Sequence, residues 1–401
     1  MDNKKVKINS IITILVRGII LLINFAIVVC QTRFWGSEGK GILAIFTADL
    51  GLILYVSNIF TNSSVSYFAK KVGPSKLFFQ SVLWCFIAST IGAFVSYFFS
   101  TNSIPLLLFI SSILFGWLTF YSSVFVGFQK INYFNLFTLM QPLLLLGLLL
   151  LFKFTFEPSY YAYFYAQIIS LAISIIVAKI IYFKKNGKLK IILERKIIKQ
   201  SFVYGFKNEL SGFLQFVVYR LGYYFLIYFS GKASVGIFAL GIAISESVWV
   251  FSRSISMVQF SKIIGEEDTK KAKKDNLSAA KISFIISLIC ITIIMILPKF
   301  LFSFIFGNDF LEIQSYVLLL SPGILIISFS NVIDHYFAAI DKQKILILKS
   351  AAGTVATIIL SIILIPSLDI IGACITYSIS HIICSLVTIL YFFHTKSEKL
   401  R

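Results

Sequence analysis

VYGFKNELSGFLQFVVYRLGYY, residues 203–224, is mostly apolar and aromatic, yet it carries Lys207, Glu209 and Arg220. As a helix rising 1.5 Å per residue it would span ~33 Å, about the thickness of a bilayer's hydrocarbon core. A charge at that depth costs at least ~2.5–3.5 kcal/mol on insertion scales. Each of the three must therefore face a protein interior, a wet cavity or the interface.

The rest of the chain has the same character. Of 401 residues, 58% are hydrophobic and only 13% charged, about half the charged fraction of a soluble domain. The class this predicts is an all-α polytopic membrane protein of about twelve transmembrane helices. Spans fall at 8–30, 41–60, 77–99, 105–127, 136–152, 160–183, 201–229, 233–260, 279–298, 313–340, 345–365 and 370–393. Pro105, Pro142, Pro158, Pro298 and Pro366 sit at or near their ends, and Pro322 lies inside the tenth. Between spans, 24 Lys and Arg fall on the side of the N-terminus and 5 on the other. The positive-inside rule then places both termini in the cytoplasm. The net charge of +19 is accordingly a topology signal with anionic headgroups as its partner, and nucleic-acid binding is excluded because no basic face exists away from the membrane-flanking loops.

The longest polar interruption, KKNGKLKIILERKIIKQ at 184–200, follows six spans and precedes six. It reads as a basic cytoplasmic linker between an N-terminal six-helix lobe, 1–183, and a C-terminal one, 201–401. A weak repeat agrees: WGSEGKGILA (35–44) aligns with SGKASVGIFA (230–239) at an offset of 195, matching Gly36 with Gly231 and Gly41 with Gly236. Two parallel six-helix repeats around a central cavity suit alternating access. The segment 261–278 reads as a solvated or headgroup-lying helix. The apolar run behind Lys4, Lys5 and Lys7 is too long for a signal peptide and carries Arg17, so it reads as the first helix. The five cysteines lack CxxC spacing and read as small buried hydrophobes.

Helical geometry organises the intramembrane charges. At 100° per residue, Ser10, Thr13, Arg17, Asn24 and Gln31 form one polar stripe along the first helix. Two readings stay open, a cavity wall presenting Arg17 or an interhelical hydrogen-bond seam. Glu209 and Arg220 share a face of the seventh helix but stand ~16 Å apart, too far to pair with each other. Lys207, on the opposite side, snorkels to the headgroups. Glu246 and Arg253 share a face of the eighth helix at a separation of ~10 Å. Pairing of Glu209 or Glu246 with an arginine on another helix competes with cavity roles for these groups. Asp49 is a cation-coupling carboxylate or a partner for Arg17. Asp334 and the adjacent His335 point about 100° apart and make no catalytic pair, and His381 stands alone on the last helix. Metal-ligand spacing, a P-loop, G-x-G-x-x-G and G-x-S-x-G are all lacking from the sequence. Arg17, Arg220 and Arg253 suit phosphate and stay protonated when partly desolvated. An anionic ligand with a carbohydrate part is the expectation, with Arg17, Asn24, Arg220 and Arg253 as cavity candidates and Asp49, Glu209, Glu246 and Asp334 as coupling or ion-pair candidates.

Several stretches resemble signatures of the polysaccharide-biosynthesis flippases, the Wzx-type repeat-unit translocases of the multidrug/oligosaccharidyl-lipid/polysaccharide (MOP) superfamily. RFWGSEGKGILAIF (33–46) is similar to the first outer turn and second-helix entry. YGFKNELSGFLQFVVYRLGYYFLIYF (204–229) and GKASVGIFALGIAISESVWVFSRSIS (231–256) are similar to the seventh and eighth helices. LLLSPGILIISFSNVIDHYFAAIDKQK (318–344) and IPSLDIIGACITYSISHIICSLVTILYFF (365–393) are similar to the tenth and twelfth. Where relatives often carry Asp after the seventh-helix Arg, this chain has Leu221-Gly222.

The resemblance implies a non-enzymatic flippase without cofactors in a bacterial cytoplasmic (inner) membrane. Its cargo would be an undecaprenyl-pyrophosphate-linked oligosaccharide for surface polysaccharide, O-antigen or capsule. The implied partners are that lipid-linked substrate, membrane lipids and the polysaccharide polymerase and chain-length machinery, with the flippase itself a monomer. The competing readings are a cation-coupled drug antiporter of the same superfamily, which more cavity carboxylate than arginine would favour, and a membrane polymerase or acyltransferase. A polymerase would carry a large outer loop that the short connections here do not provide.

Overall fold

The computed structural model describes residues 3–99, 104–155, 159–265 and 268–394, and all regular structure among them is helical. In chain order the helices are α1 (Asn3–Thr61), α2 (Ser63–Val72), α3 (Ser75–Phe99), α4 (Pro105–Gly127), α5 (Ile131–Thr155) and α6 (Tyr161–Asn186). They continue with α7 (Arg195–Ser230), α8 (Lys232–Gly265), α9 (Thr269–Ile296), α10 (Lys299–Phe306), α11 (Ile313–Ala339) and α12 (Gln343–His394). Among the described residues, ten helical stretches are long and apolar enough to cross a membrane. Purely helical spans are what hydrocarbon demands, because only there does every backbone N–H and C=O find its partner within the segment.

Two of the expected pairs of spans run on as single long helices with a sharp break inside. In α1 the break is at Gly36 (φ 62°, ψ −162°), a conformation open to glycine and strained for other residues. In α12 it is at Asp369 (φ 49°, ψ −127°), three residues after Pro366. Asp is among the few residues that tolerate positive φ. Here the chain doubles back: the Cys384 thiol reaches the Lys349 carbonyl at 3.5 Å, whereas a straight helix would hold residues 349 and 384 ~52 Å apart. Gly372 is required beside the break because a Cβ there would overlap the Leu364 carbonyl. Pro142, expected near a span end, lies inside α5, Pro322 lies inside α11, and Pro366 stands beside the break that separates the two spans joined in α12. The described residues of the expected headgroup helix at 261–278 are divided between α8 and α9. α8 runs on to Gly265, and α9 starts behind Asp268, whose carboxylate accepts from the Lys270 and Lys271 amides at 2.9 and 3.2 Å. Glu266 and Glu267 fall outside the described residues, as do Pro158 and residues 395–401.

Contacts divide the chain into two compact units. The first holds the residues up to Trp35 together with Ile45–Phe213; the second holds Gly36–Ala44 and everything from Leu214 onward. The division passes through α7. The segment Gly187–Glu194 adheres to the first unit, its Lys190 amide donating to Ser75 Oγ at 3.1 Å and Glu194 pairing with Lys76.

Each unit is built round the same turn. After α4, Gln129 takes φ 59° and the Lys130 amide donates to the Phe125 carbonyl at 2.8 Å. After α11, Asp341 takes φ 56° and the Lys342 amide donates to the Phe337 carbonyl at 2.9 Å. These are helix ends closed by a left-handed residue. Phe125 and Phe337 are wholly buried in the apolar cluster beside their own turn.

In the second unit, the starts of two helices cross at backbone contact. A Cβ on Gly41 would overlap the Lys232 carbonyl, and a Cβ on Gly236 would overlap the Ser37 carbonyl. The contact is reciprocal, since Ser37 and Lys232 stand at the same 195-residue offset as the two glycines. Asp309, in the turn after α10, closes the break at Gly36: its Oδ2 accepts from the Ser37 amide and the Ser37 hydroxyl, both at 2.8 Å. These bonds hold the Asp309 carboxyl below the usual carboxylate range.

Gly236→Ala should lower stability by about 1–3 kcal/mol, read as a fall in Tm of the detergent-solubilised protein. Gly147→Ala, which meets nothing within 4 Å, should leave Tm unchanged or slightly raised. Asp309→Ala should cost about 1 kcal/mol, as for a lost helix cap. A depressed carboxyl stabilises the fold above its unfolded pKa and ceases to do so as pH falls through the folded one. The gap between wild type and Asp309→Ala should therefore stay constant from pH 6 to 8 and close below about pH 4.

Candidate functional site

The polar stripe on α1 mixes buried, half-buried and exposed side chains. Thr13 Oγ1 accepts from Asn135 Nδ2 at 3.0 Å, and Gln31 is buried and bonded to Tyr163. Between them Arg17 and Asn24 are exposed. The Ser10 side chain lies outside the described set. Asp49 is buried at 7% exposure and accepts from Ser96 Oγ at 2.7 Å.

On α7, Glu209 turns inward at 8% exposure while Lys207 is exposed. Its carboxylate takes the Asn62 amide group at 3.3 Å together with the hydroxyl and backbone N–H of Ser63. Asn62 is the non-helical joint between α1 and α2 (φ −111°, ψ −92°). Glu209 therefore caps the N-terminus of α2 from a distant helix, a favourable place for negative charge. Gly205, one turn earlier, has no room for a Cβ against the Ile59 carbonyl, which lets α7 bring the carboxylate within reach of Asn62 and Ser63.

Arg220 does not present a bare positive charge. Its guanidinium makes a two-pronged pair with Glu246 of α8, Nη1 to Oε1 at 2.9 Å and Nη2 to Oε2 at 3.2 Å. The Phe216 and Tyr223 rings lie 5.7 and 5.4 Å from it. Helix-to-helix pairing is the outcome here, and the geometry is the planar fork that arginine offers a carboxylate. Both side chains keep about a quarter of their surface, 21% and 26%. Arg253, the other charged residue on that face of α8, is exposed.

Asp334 of α11 pairs with Lys349 of α12, and both are buried. Sequence reading singled out Asp334 but not Lys349. The available signal was a lysine five residues into the apolar run ILILKSAAG. His335, next to Asp334, bonds instead to the Asn331 carbonyl at 2.9 Å. His381 is wholly buried, with the Tyr377, Tyr219 and Trp249 rings 3.9, 5.1 and 5.9 Å from it. Cys85, Cys374 and Cys384 are buried, and Cys30 and Cys290 half-buried, all with free thiols. Among the described residues no cluster of His, Cys, Asp and Glu could hold a metal ion.

Three comparisons bear on this arrangement. The chain shares its fold with a multidrug resistance MATE family transporter of the MOP superfamily in an inward-facing conformation. That likeness has a TM-score of 0.77 at 15% identity and covers 93% of this chain and 94% of the other. It is also similar to the lipid II flippase MurJ in an inward closed conformation, with a TM-score of 0.72 at 18% identity over 96% and 87% of the two chains. An uncharacterised membrane protein of Methanocaldococcus jannaschii is 27% identical over 270 residues, 64% of this chain. The chain spans about half the length of that relative, 52%. The family described as polysaccharide biosynthesis protein matches residues 6–260. A chain with this helical fold, and with that match over most of its length, belongs to the polysaccharide biosynthesis protein family.

Proposed function

We propose that the protein is a flippase that moves an undecaprenyl-pyrophosphate-linked oligosaccharide repeat unit from the inner to the outer leaflet of the cytoplasmic membrane. Alternating access would bring the unit across for surface polysaccharide such as O-antigen or capsule. Family membership supports the polysaccharide pathway, and the fold is one that transporters and a lipid flippase share. The observation that carries the reading is the exposure of Arg17 and Asn24, two polar side chains within the apolar first helix. A cation and an amide on the surface of a membrane-spanning helix fit a wet path for a charged, hydroxyl-rich headgroup.

Arg220 enters this scheme differently from Arg17. An anion reaching it competes with Glu246, so the cargo must displace one carboxylate to gain the arginine. Arg253, exposed on α8, needs no such exchange. The coupled-antiporter reading draws less support, because Glu246 and Asp334 each already hold a basic side chain of the same unit. The protein would act as a monomer, handing its product to polymerase and chain-length machinery.

Arg17→Ala should cut surface polymer at least about tenfold while lipid-linked repeat units accumulate on the inner leaflet; Arg17→Lys, which keeps the charge but loses the fork, should retain part of the activity. Normal polymer in Arg17→Ala cells would sink the cavity role of that residue. Arg220→Met should destabilise the protein by less than the about 3–5 kcal/mol of a fully buried pair, since the pair is partly exposed. Adding Glu246→Gln should restore stability. If transport stays lost in that stable double variant, Arg220 serves the cargo; if transport returns, the pair is structural.

A further inference from the structure

The first unit holds a cavity that the flipping reaction does not use. It lies between α3, α4 and α6, measures about 610 Å³, and is walled by side chains such as Phe78, Leu114, Phe120 and Ile175. Its few polar groups are turned to the backbone. Ser81 Oγ lies 2.6 Å from the Phe60 carbonyl and 2.8 Å from that of Leu77, and Thr61 Oγ1 donates to the Ser57 carbonyl at 3.2 Å. What the walls offer is therefore almost wholly hydrocarbon. The volume falls within the range of about 300–1,000 Å³ usual for ligand sites. At about 30 Å³ per water-sized unit it has room for roughly twenty such units. A methylene group is of similar bulk, so one acyl chain fills the cavity, and a polyprenyl chain several times longer does not fit.

The mouth is open and basic. Trp117 and Ile176 are exposed there, at 37% and 56%, beside the exposed Lys179. Lys184 and Lys185 follow near the end of α6, turned ~140° and ~120° round the helix from Lys179, and Lys188 and Lys190 flank Leu189 in the segment after it, all exposed. Leu189, between the last two, closes one wall of the cavity. The nearest carboxylate in this segment, Glu194, is already paired with Lys76. This end of α6 is the one that the charge bias assigns to the cytoplasm. Basic pockets between spans on that side suit anionic headgroups.

We propose that this cavity is a binding site for an anionic phospholipid of the inner leaflet, with one acyl chain between α3, α4 and α6 and the phosphate on Lys179 and the lysines beyond it. The charge complementarity selects the headgroup, and the apolar walls and their volume select a single alkyl chain.

Native mass spectrometry of the purified full chain, after exchange into equal phosphatidylglycerol and phosphatidylcholine, tests this. Wild type should retain one phosphatidylglycerol with a preference of about tenfold, what one or two lysines near a membrane surface supply. The variant Lys179→Ala with Lys188→Ala should bring that preference toward unity while still retaining lipid. Ala172→Phe, which fills the cavity, should lose the retained lipid; Ile176→Trp, at the exposed mouth, should do the same without burdening the core should Ala172→Phe not fold. Equal retention of the two lipids by wild type would overturn the proposal. So would undiminished phosphatidylglycerol in Ile176→Trp, or displacement of phosphatidylglycerol by equimolar undecaprenyl phosphate.

Discussion

A helix leaves its first N–H and last C=O groups without partners of its own, and each place where one stops must find those hydrogen bonds elsewhere. This structure meets that demand with side chains borrowed from far along the sequence. Glu209 caps α2 at Ser63, and Asp309 caps the restart of α1 at Ser37. Gln314 reaches the Ile294, Met295 and Leu297 carbonyls at the end of α9, at 3.2, 2.8 and 2.8 Å. Acids serve helix starts and an amide N–H serves a helix end, as the polarity of helix termini requires. Because each cap ties elements distant in sequence, the breaks in the helices are also the points that fix the tertiary arrangement.

The same economy governs the charges. Ion pairs such as Arg220 with Glu246 and Lys349 with Asp334 cost desolvation that their attraction only partly offsets, so their presence argues for specificity more than for stability. Each pair sets a carboxylate and a base of the second unit against one another. Arg17 on α1 and Arg253 on α8 are exposed.

The sequence made the helices legible because their apolar runs exceed bilayer thickness, and it made the polar stripe on α1 legible because period 3.6 is a local property. The partners of the charges were not legible. Glu209 to Ser63 spans 146 residues and Ser37 to Asp309 spans 272, and no spacing rule reaches that far. The alignment of Gly36–Gly41 with Gly231–Gly236 was visible, but not that the two copies touch. The matching turns at Gln129 and Asp341 went unseen, since FQK and IDK share only a lysine and their likeness lies in backbone angles. Span ends were misjudged at Pro142 because a proline inside a transmembrane helix breaks less than it does in water.

The reciprocal crossing has a consequence for how the gene can change. At Gly41 and Gly236 each residue lies against the carbonyl line of the other's helix, so a side chain gained by either pushes apart a contact that both share. The two copies of this ten-residue repeat match at four positions, and matched glycines are half of them. A change at Gly41 or Gly236 is felt at once by the other, so the two positions act as one site under selection.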